Sequence, residues 1–350
     1  MATITSFQSG DWHTGSTWVG GVVPDETCDV IIAAGHIVTV NAATTITAKS
    51  LTSTGGRVEI LNGSGVTVRI DSIVAGEPVK RPDLSHNCLI YVASLSAGQT
   101  ITIIADSIIG GDTGALGPEY PRAILSYVTD GAWVLRSDNL SHTVLQGGLT
   151  AAAFAFYGPT SECTFDFTAE VIQSLGGANH AVQISSGNSM TWSGDISGNM
   201  FCRTMRGVWH ANVTGITTDY VGDPTYIGSG ALAIEPATAY DIVQHEVYGN
   251  ITGGSGSYAV GIRVAGDVRL YIYGDIKAGA GVGAYGVYAY TGRTAQRVFQ
   301  GYGFDLLNAS GELEEDAPYT AINNHVSLGY NWLITAEVES IDDLVAIEAA

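Results

Sequence analysis

Charge is what this chain has least of. Only 14% of its 350 residues are charged, and Lys plus Arg number 14. So few cations leave no basic stripe to neutralise phosphates, which excludes a nucleic-acid partner. The same shortage excludes docking to an anionic membrane surface. The 34 acidic residues give a net charge of −20, which keeps a glycine-rich surface from sticking to its neighbours. Cysteine is equally sparse. Cys28, Cys88, Cys163 and Cys202 lie far apart and form no C-x-x-C pair, so paired thiolate ligands for a metal are absent. Buried free thiols are expected instead.

Long apolar runs are also missing, and no segment reaches the ~20 residues a membrane-spanning helix needs. The opening "MATITSFQSGDWH" has neither a basic start nor an apolar stretch, so no secretory signal is expected. Sequons such as Asn250-Ile251-Thr252 then read as polar turns. No G-x-S-x-G elbow, phosphate loop or H-E-x-x-H occurs. "GGSGSYAVG" at 253–261 lacks the Lys-Ser/Thr ending of a phosphate loop. No cofactor and no metal are expected.

What is abundant is glycine, at 45 residues, together with alanine and β-branched residues. "DVIIAAGHIVTV" at 29–40 reads as strand, tight break, strand, and the pattern runs on past residue 70 without helical periodicity. Strands of about four to six residues are expected. A repeat emerges further along. "YGNITGGSGSYAVGIRVAGD" at 248–267 and "YGDIKAGAGVGAYGVYAYTG" at 273–292 share one internal order. Gly249 and Gly274, and Gly261 and Gly286, stand 25 positions apart, as do Ala169 and Gly194. "WSGDISGNMFCRTMRGVWHA" at 192–211 follows the same order. Two earlier segments, 70–93 and 105–128, match at an offset of 35, and the 55 positions from Gly194 to Gly249 fit two turns with an insertion.

A period of roughly 20 to 35 residues with two or three short strands per unit predicts an all-β fold: a single parallel β-helix, a solenoid. Inward positions would take Val, Ile, Leu, Ala and Phe, and glycine would sit at corners. A solenoid exposes its end, so atypical ends are expected. We divide the chain into an N-terminal cap or attachment segment (1–28), the β-helix (29–310) and a divergent C-terminal cap or attachment arm (311–350), with a short helix expected at 341–349. Trp12 and Trp18 are the expected lid over the first coil.

The spacing of Trp12, Trp18, Gly20, Gly21 and Pro24, followed by Asp29, Val30, Ile32, Gly35, Val38, Thr39 and Val40, resembles the opening of right-handed β-helix proteins of bacteria and phages. The likeness covers about the first 70 residues. It implies a right-handed coil and a structural role in a phage virion, as a fibre, tailspike-like or capsid-decorating component. By the same resemblance the chain is a homotrimer that meets other virion proteins, with host-surface glycans as a further contact. It would be assembled in the host cytoplasm and released by lysis. Two other classes share the scaffold: a polysaccharide depolymerase and a bacterial surface adhesin.

A glycan hydrolase needs two carboxylates a few ångströms apart. The candidates are Asp219 and Asp223, beside Tyr220 and Tyr226, then Asp112 and Glu119; solvated turns account for the same residues. His180, His210 and His245 are scattered and read as loop or inward-edge positions. The tyrosines form the other candidate set. Tyr271 and Tyr273 fall on one face by alternation, as do Tyr288 and Tyr290, with Tyr285 nearby and Tyr248 and Tyr258 one coil earlier. Such a face would grip sugar or pack on a sister chain.

Overall fold

The computed structural model describes residues 2–41, 43–76, 87–111, 122–148, 152–157, 162–172, 180–216, 230–237, 243–266, 268–290, 297–300, 305–313, 322–324 and 332–334. Among them the protein is all-β, with strands joined almost wholly by parallel pairing. The two short helical turns among the described residues, Gly15–Thr17 and Val19–Gly21, are of the 3-10 type, and among those residues no helix is long and apolar enough to cross a membrane. The chain divides into two compact units, Met1–Gly194 with Gly198–Phe201, and Asp195–Ser197 with Cys202–Ala350.

In the first unit the chain visits three parallel ladders in fixed rotation. One ladder aligns Ile4, Val30, Leu51, Ile73, Ile108, Leu145 and Val171 in register. The second aligns Val38, Val58, Ile90, Ile124, Phe154 and Val182. The third aligns Ile46, Val68, Ile103, Leu135, Phe167 and Trp192. Every one of these side chains is buried. Equivalent residues of successive strands lie on top of one another, so each column must keep one residue class. The third column grows from Ile46 to Trp192, and here the core turns aromatic. Trp133, Phe154, Phe156, Phe165 and Phe167 meet edge to face, with ring centroids 5.1 to 6.2 Å apart.

Many strands have the expected four to six residues, such as Asp29–Ile32 and Val243–Tyr248, but several run longer. Thr164–Ile172 has nine, because it faces two partners in succession: 164–167 pair with Ala132–Leu135, and 169–172 with Thr143–Gln146. A strand that runs through a bend absorbs the break that sequence places between two strands. The N-terminal segment also contributes strands. Thr3–Thr5 pairs with Asp29–Ile31 and Gly10–Asp11 with Val38–Thr39, both parallel, while Ser6 and Trp18 form an antiparallel bridge. Trp12 and Trp18 are buried at 5.1 Å and 76°, and the Trp18 indole N–H donates to the Trp12 carbonyl at 2.7 Å. All four cysteines are buried thiols outside any disulfide.

The second unit repeats the three-ladder rotation, and here the recurring Gly-Asn/Asp-Ile motif has its explanation. Ile196, Val213, Ile251, Ile276 and Leu306 form one buried column. The residue before each is Asp195, Asn212, Asn250, Asp275 or Asp305. Each side-chain oxygen accepts the backbone N–H of the next residue in this series: Asn212 to Asp195 at 3.0 Å, Asn250 to Asn212 at 3.1 Å, Asp275 to Asn250 at 3.0 Å, Asp305 to Asp275 at 3.0 Å. The return bond runs through the backbone, where Val213 N–H donates to Asn250 C=O at 2.9 Å and Ile251 N–H to Asp275 C=O at 2.8 Å. Gly194, Gly249 and Gly274 precede three of these residues because the rungs approach closely there. A Cβ on Gly274 would lie 2.1 Å from the carbonyl oxygen of Gly249.

The repeat spacing holds. Tyr248 pairs Tyr273 and Ile262 pairs Val287, each 25 positions on, and Ser72 pairs Ser107, 35 on. Positions 196 and 251 are two rungs apart, through Val213. Parallel pairing continues beyond residue 310, where Ile322–Asn324 joins Val287–Ala289 and Trp332–Ile334 joins Arg297–Phe299. The expected helix at 341–349 lies outside the described residues.

Removing one rung of the side-chain ladder tests its worth. Asn250→Ala strands the Asp275 N–H without this acceptor and is expected to cost about 1 kcal/mol, whereas Asn250→Asp keeps the acceptor oxygen but sets a carboxylate beside Asp275, so it is expected to cost less than the alanine change without being neutral. Gly274→Ala is expected to cost more than either, since its Cβ meets backbone that cannot rotate away. Urea-denaturation midpoints of the three variants check this order.

Candidate functional site

The six candidate tyrosines do not share one face. Tyr248 and Tyr273 are register partners and stack at 4.7 Å with planes 9° apart. His210 stacks on the other side of Tyr248, at 5.1 Å and 18°. The Tyr248 hydroxyl donates to Glu246 at 2.7 Å; burial and this neighbouring carboxylate push the phenol up to about 12. Because the rings face each other, they turn edges and hydroxyls to solvent, with Tyr248 40% exposed. Tyr271 points to the same side as Tyr273 by alternation but is buried. Tyr258 lies outside the strands in a left-handed turn (φ 57°). Tyr288 is buried in a different ladder and stacks on Tyr285 at 6.0 Å. The backbone of Tyr290 is in that same strand, Val287–Tyr290. Asp219, Asp223, Asp112 and Glu119 lie outside the described residues.

The structure brings together a second constellation that sequence reading did not single out. It sits in the first unit, on the ladder that runs through Val58, Ile90 and Ile124. Strands here are buried on both sides, and all five residues of Arg122–Ser126 are inaccessible. Cys88, Leu125, Ala152 and Ala155 form a small apolar cluster, with the half-buried Tyr91, Tyr127 and Tyr157 packed against it. Tyr127 and Tyr157 stack at 5.7 Å, and Tyr91 meets Tyr127 edge-on at 6.4 Å. Arg122 reaches across this wall. Its Nη2 donates to the Tyr157 hydroxyl at 2.6 Å, and its Cζ lies 4.9 Å from the centre of that ring. The Tyr157 hydroxyl in turn donates to Gln183 Oε1 at 2.6 Å. Two strands away, beyond Cys88–Val92, Arg57 pairs with Glu59, Nε to Oε1 at 2.9 Å. Burial pushes the Cys88 thiol up to about 12, against the pull of Arg57 and Arg122, so it is an unreactive thiol.

The only sequence signal for this cluster was a recurring tyrosine at strand ends, "LIYVA", "LSYVT" and "AFYGP". The rungs here advance by 34 positions (Tyr91 to Leu125) and then by 30 (Leu125 to Ala155), so no single period reveals the column.

The histidines serve packing. His180 stacks on Phe201 at 5.4 Å. His245 is fully buried opposite Gly207, where a Cβ would lie 2.3 Å from its Nδ1. The Trp209 indole N–H donates to Nδ1 at 3.0 Å, which fixes the proton on Nε2, and Nε2 donates to the Thr204 carbonyl at 3.1 Å. Among the described residues no group of three or more His, Cys, Asp or Glu is arranged to hold a metal ion. Compared with protein-family models, with curated proteins and with solved structures, the chain matches none.

His245 gives a pH dependence of known sign. Burial lowers its pKa from 6.5 to about 4, so the unfolded chain binds the extra proton first. Its contribution is fully present above pH 6.5 and is lost as pH falls toward about 4, by roughly 3 kcal/mol in all. Urea midpoints measured across this window are expected to fall steeply for the native chain. His245→Gln is less stable at pH 7 and shows a flatter profile.

Proposed function

We propose that the chain coils as a right-handed parallel β-helix and serves as a structural component of a phage virion, of fibre, tailspike-like or capsid-decorating type. The carrying observation is how the polar and aromatic side chains are used. The Asp195-to-Asp305 series, the His210–Tyr248–Tyr273 stack and the Tyr91–Tyr127–Tyr157 wall all tie one rung to the next. In these series, groups that could do chemistry are engaged in tying neighbouring strands together. Rotation through three ladders is what a coil produces, and parallel connections of this kind are right-handed in about 98% of cases. The low cation content and the resemblance of the first 70 residues to phage and bacterial β-helix proteins support the same reading. A homotrimer fits it, with the exposed edge of Tyr248 as a contact for a sister chain.

Density-gradient separation of virus-sized particles from a producing culture, followed by peptide mass spectrometry, tests the assignment. The chain is expected to band with particles at a fixed stoichiometry, and copy number then distinguishes decoration from fibre. Recovery only in the soluble or cell-envelope fractions refutes the virion role. Sedimentation of the purified chain is expected to give a trimer that Tyr248→Ala weakens; a monomer at all concentrations removes the trimer.

A further inference from the structure

A cleft in the second unit opens to solvent and has room for a ligand. Its volume is about 480 Å³, inside the ~300–1,000 Å³ range of small-molecule sites. Residues of 278–285 and of 308–310 line it. Glycine and alanine dominate the lining, and the packing beneath explains the glycines. A Cβ on Gly279 would lie 2.1 Å from the carbonyl oxygen of Gly254, and one on Gly281 would lie 2.0 Å from that of Gly256. Such a surface leaves peptide groups uncovered by side chains. Three longer side chains complete the lining: Tyr285, Asn308 and Ser310. Tyr285 is half-buried, and its ring is backed by Tyr288 at 6.0 Å. Asn308 is held by three bonds. Its Oδ1 accepts the backbone N–H groups of Ser310 and Glu312, each at 2.9 Å, and its Nδ2 donates to Glu312 Oε2 at 3.0 Å. The second hydrogen of Nδ2 is then held in a fixed direction before any ligand arrives. Ser310 is exposed, and none of the described residues lining the cleft is charged.

We propose that this cleft binds a neutral pyranose sugar. A pyranose carries an apolar C–H face and a rim of hydroxyls that both donate and accept. The face suits the Tyr285 ring and the alanine methyls. The hydroxyls suit the Asn308 N–H, the Ser310 hydroxyl and the uncovered peptide groups. A flat ligand without hydroxyls would strip water from those peptide groups and pair none of them. Neutrality follows from the lining and from the chain as a whole. No lining cation offsets the desolvation of an acid, and a net charge of −20 repels one. The cleft shares no residue with the Tyr248–Tyr273 stack. The proposal does not rest on the virion role, since the purified chain carries the cleft wherever it is assembled.

Calorimetric titration of the full chain with methyl glucoside, methyl galactoside and N-acetylglucosamine tests the site, with mannitol as the open-chain polyol control. Saturable binding of at least one pyranose without binding of mannitol is the expected result. Tyr285→Ala is expected to weaken it about tenfold or more, and Tyr285→Phe, which keeps the ring, to stay within about threefold. Ala280 is an exposed lining residue, so Ala280→Trp fills the cleft from outside the core and is expected to abolish binding while circular dichroism stays native. Absence of saturable binding of all three sugars overturns the proposal. So does equal binding of mannitol, or an affinity unchanged in folded Tyr285→Ala or Ala280→Trp. None of these outcomes bears on whether the chain bands with particles, so the two readings fail separately.

Discussion

In-register parallel stacking governs this protein. Strands about 4.8 Å apart place each side chain over its equivalent on the neighbouring strand. A residue type therefore succeeds only if it tolerates a copy of itself, or a close relative, directly above and below. Apolar residues meet this easily, as in the column from Ile4 to Val171. Aromatic rings meet it by stacking, as Tyr248 does on Tyr273. Polar side chains need a complementary group in every rung. The Asp195-to-Asp305 series finds one in the backbone N–H of the next rung. That bond also sets how near the strands lie, and Gly249 and Gly274 are there because the approach leaves no room for a Cβ.

The same constraint decides what could be read beforehand. The motif Gly-Asn/Asp-Ile is visible in sequence because three adjacent positions each answer a different demand: close approach, side-chain ladder, buried core. Its spacing is visible only where the intervening coil has constant length, as between Ile251 and Ile276. Where the stretch between rungs is longer, as between Val213 and Ile251, the period fails, and at 211–213 the motif reads Ala-Asn-Val. The Tyr91–Tyr127–Tyr157 wall has no constant period in the sequence for this reason. Its members are also offset along the strands, since Tyr91 opposes Leu125 and not Tyr127. Trp133, Trp192 and Trp209 were not expected inside, because an inward column of β-branched residues sets no obvious volume for an indole. Trp192 and Trp209 became acceptable only through partners for their N–H groups, the carbonyl of Gly194 and the ring of His245.

A face of tyrosines read from alternation alone assumed that residues on one side of a strand stay on one surface of the molecule. Tyr271 shows why this fails. It shares a side with Tyr273, yet it opposes Glu246 in the preceding strand and is buried, while Tyr273 opposes Tyr248 and is half-exposed. Periodicity fixes direction along a strand. It does not fix what covers the side chain, and the ladder containing Arg122–Ser126 is covered on both sides.

Stacking also restricts where a net charge of −20 can be placed. Acids in consecutive rungs repel, and a column of bare carboxylates would unzip the ladder it decorates. Two devices relieve this. Amides interrupt the series, with Asn212 and Asn250 standing between Asp195 and Asp275. Where two acids do follow each other, as Asp275 and Asp305 do, a backbone N–H from the next rung binds the carboxylate. Cations are used just as locally, with Lys49 on Asp71 and Arg69 on Asp138. Arg122 departs from that economy. It is a buried cation whose Nη2 is held by the Tyr157 hydroxyl and whose Cζ lies over that ring, in place of an acid.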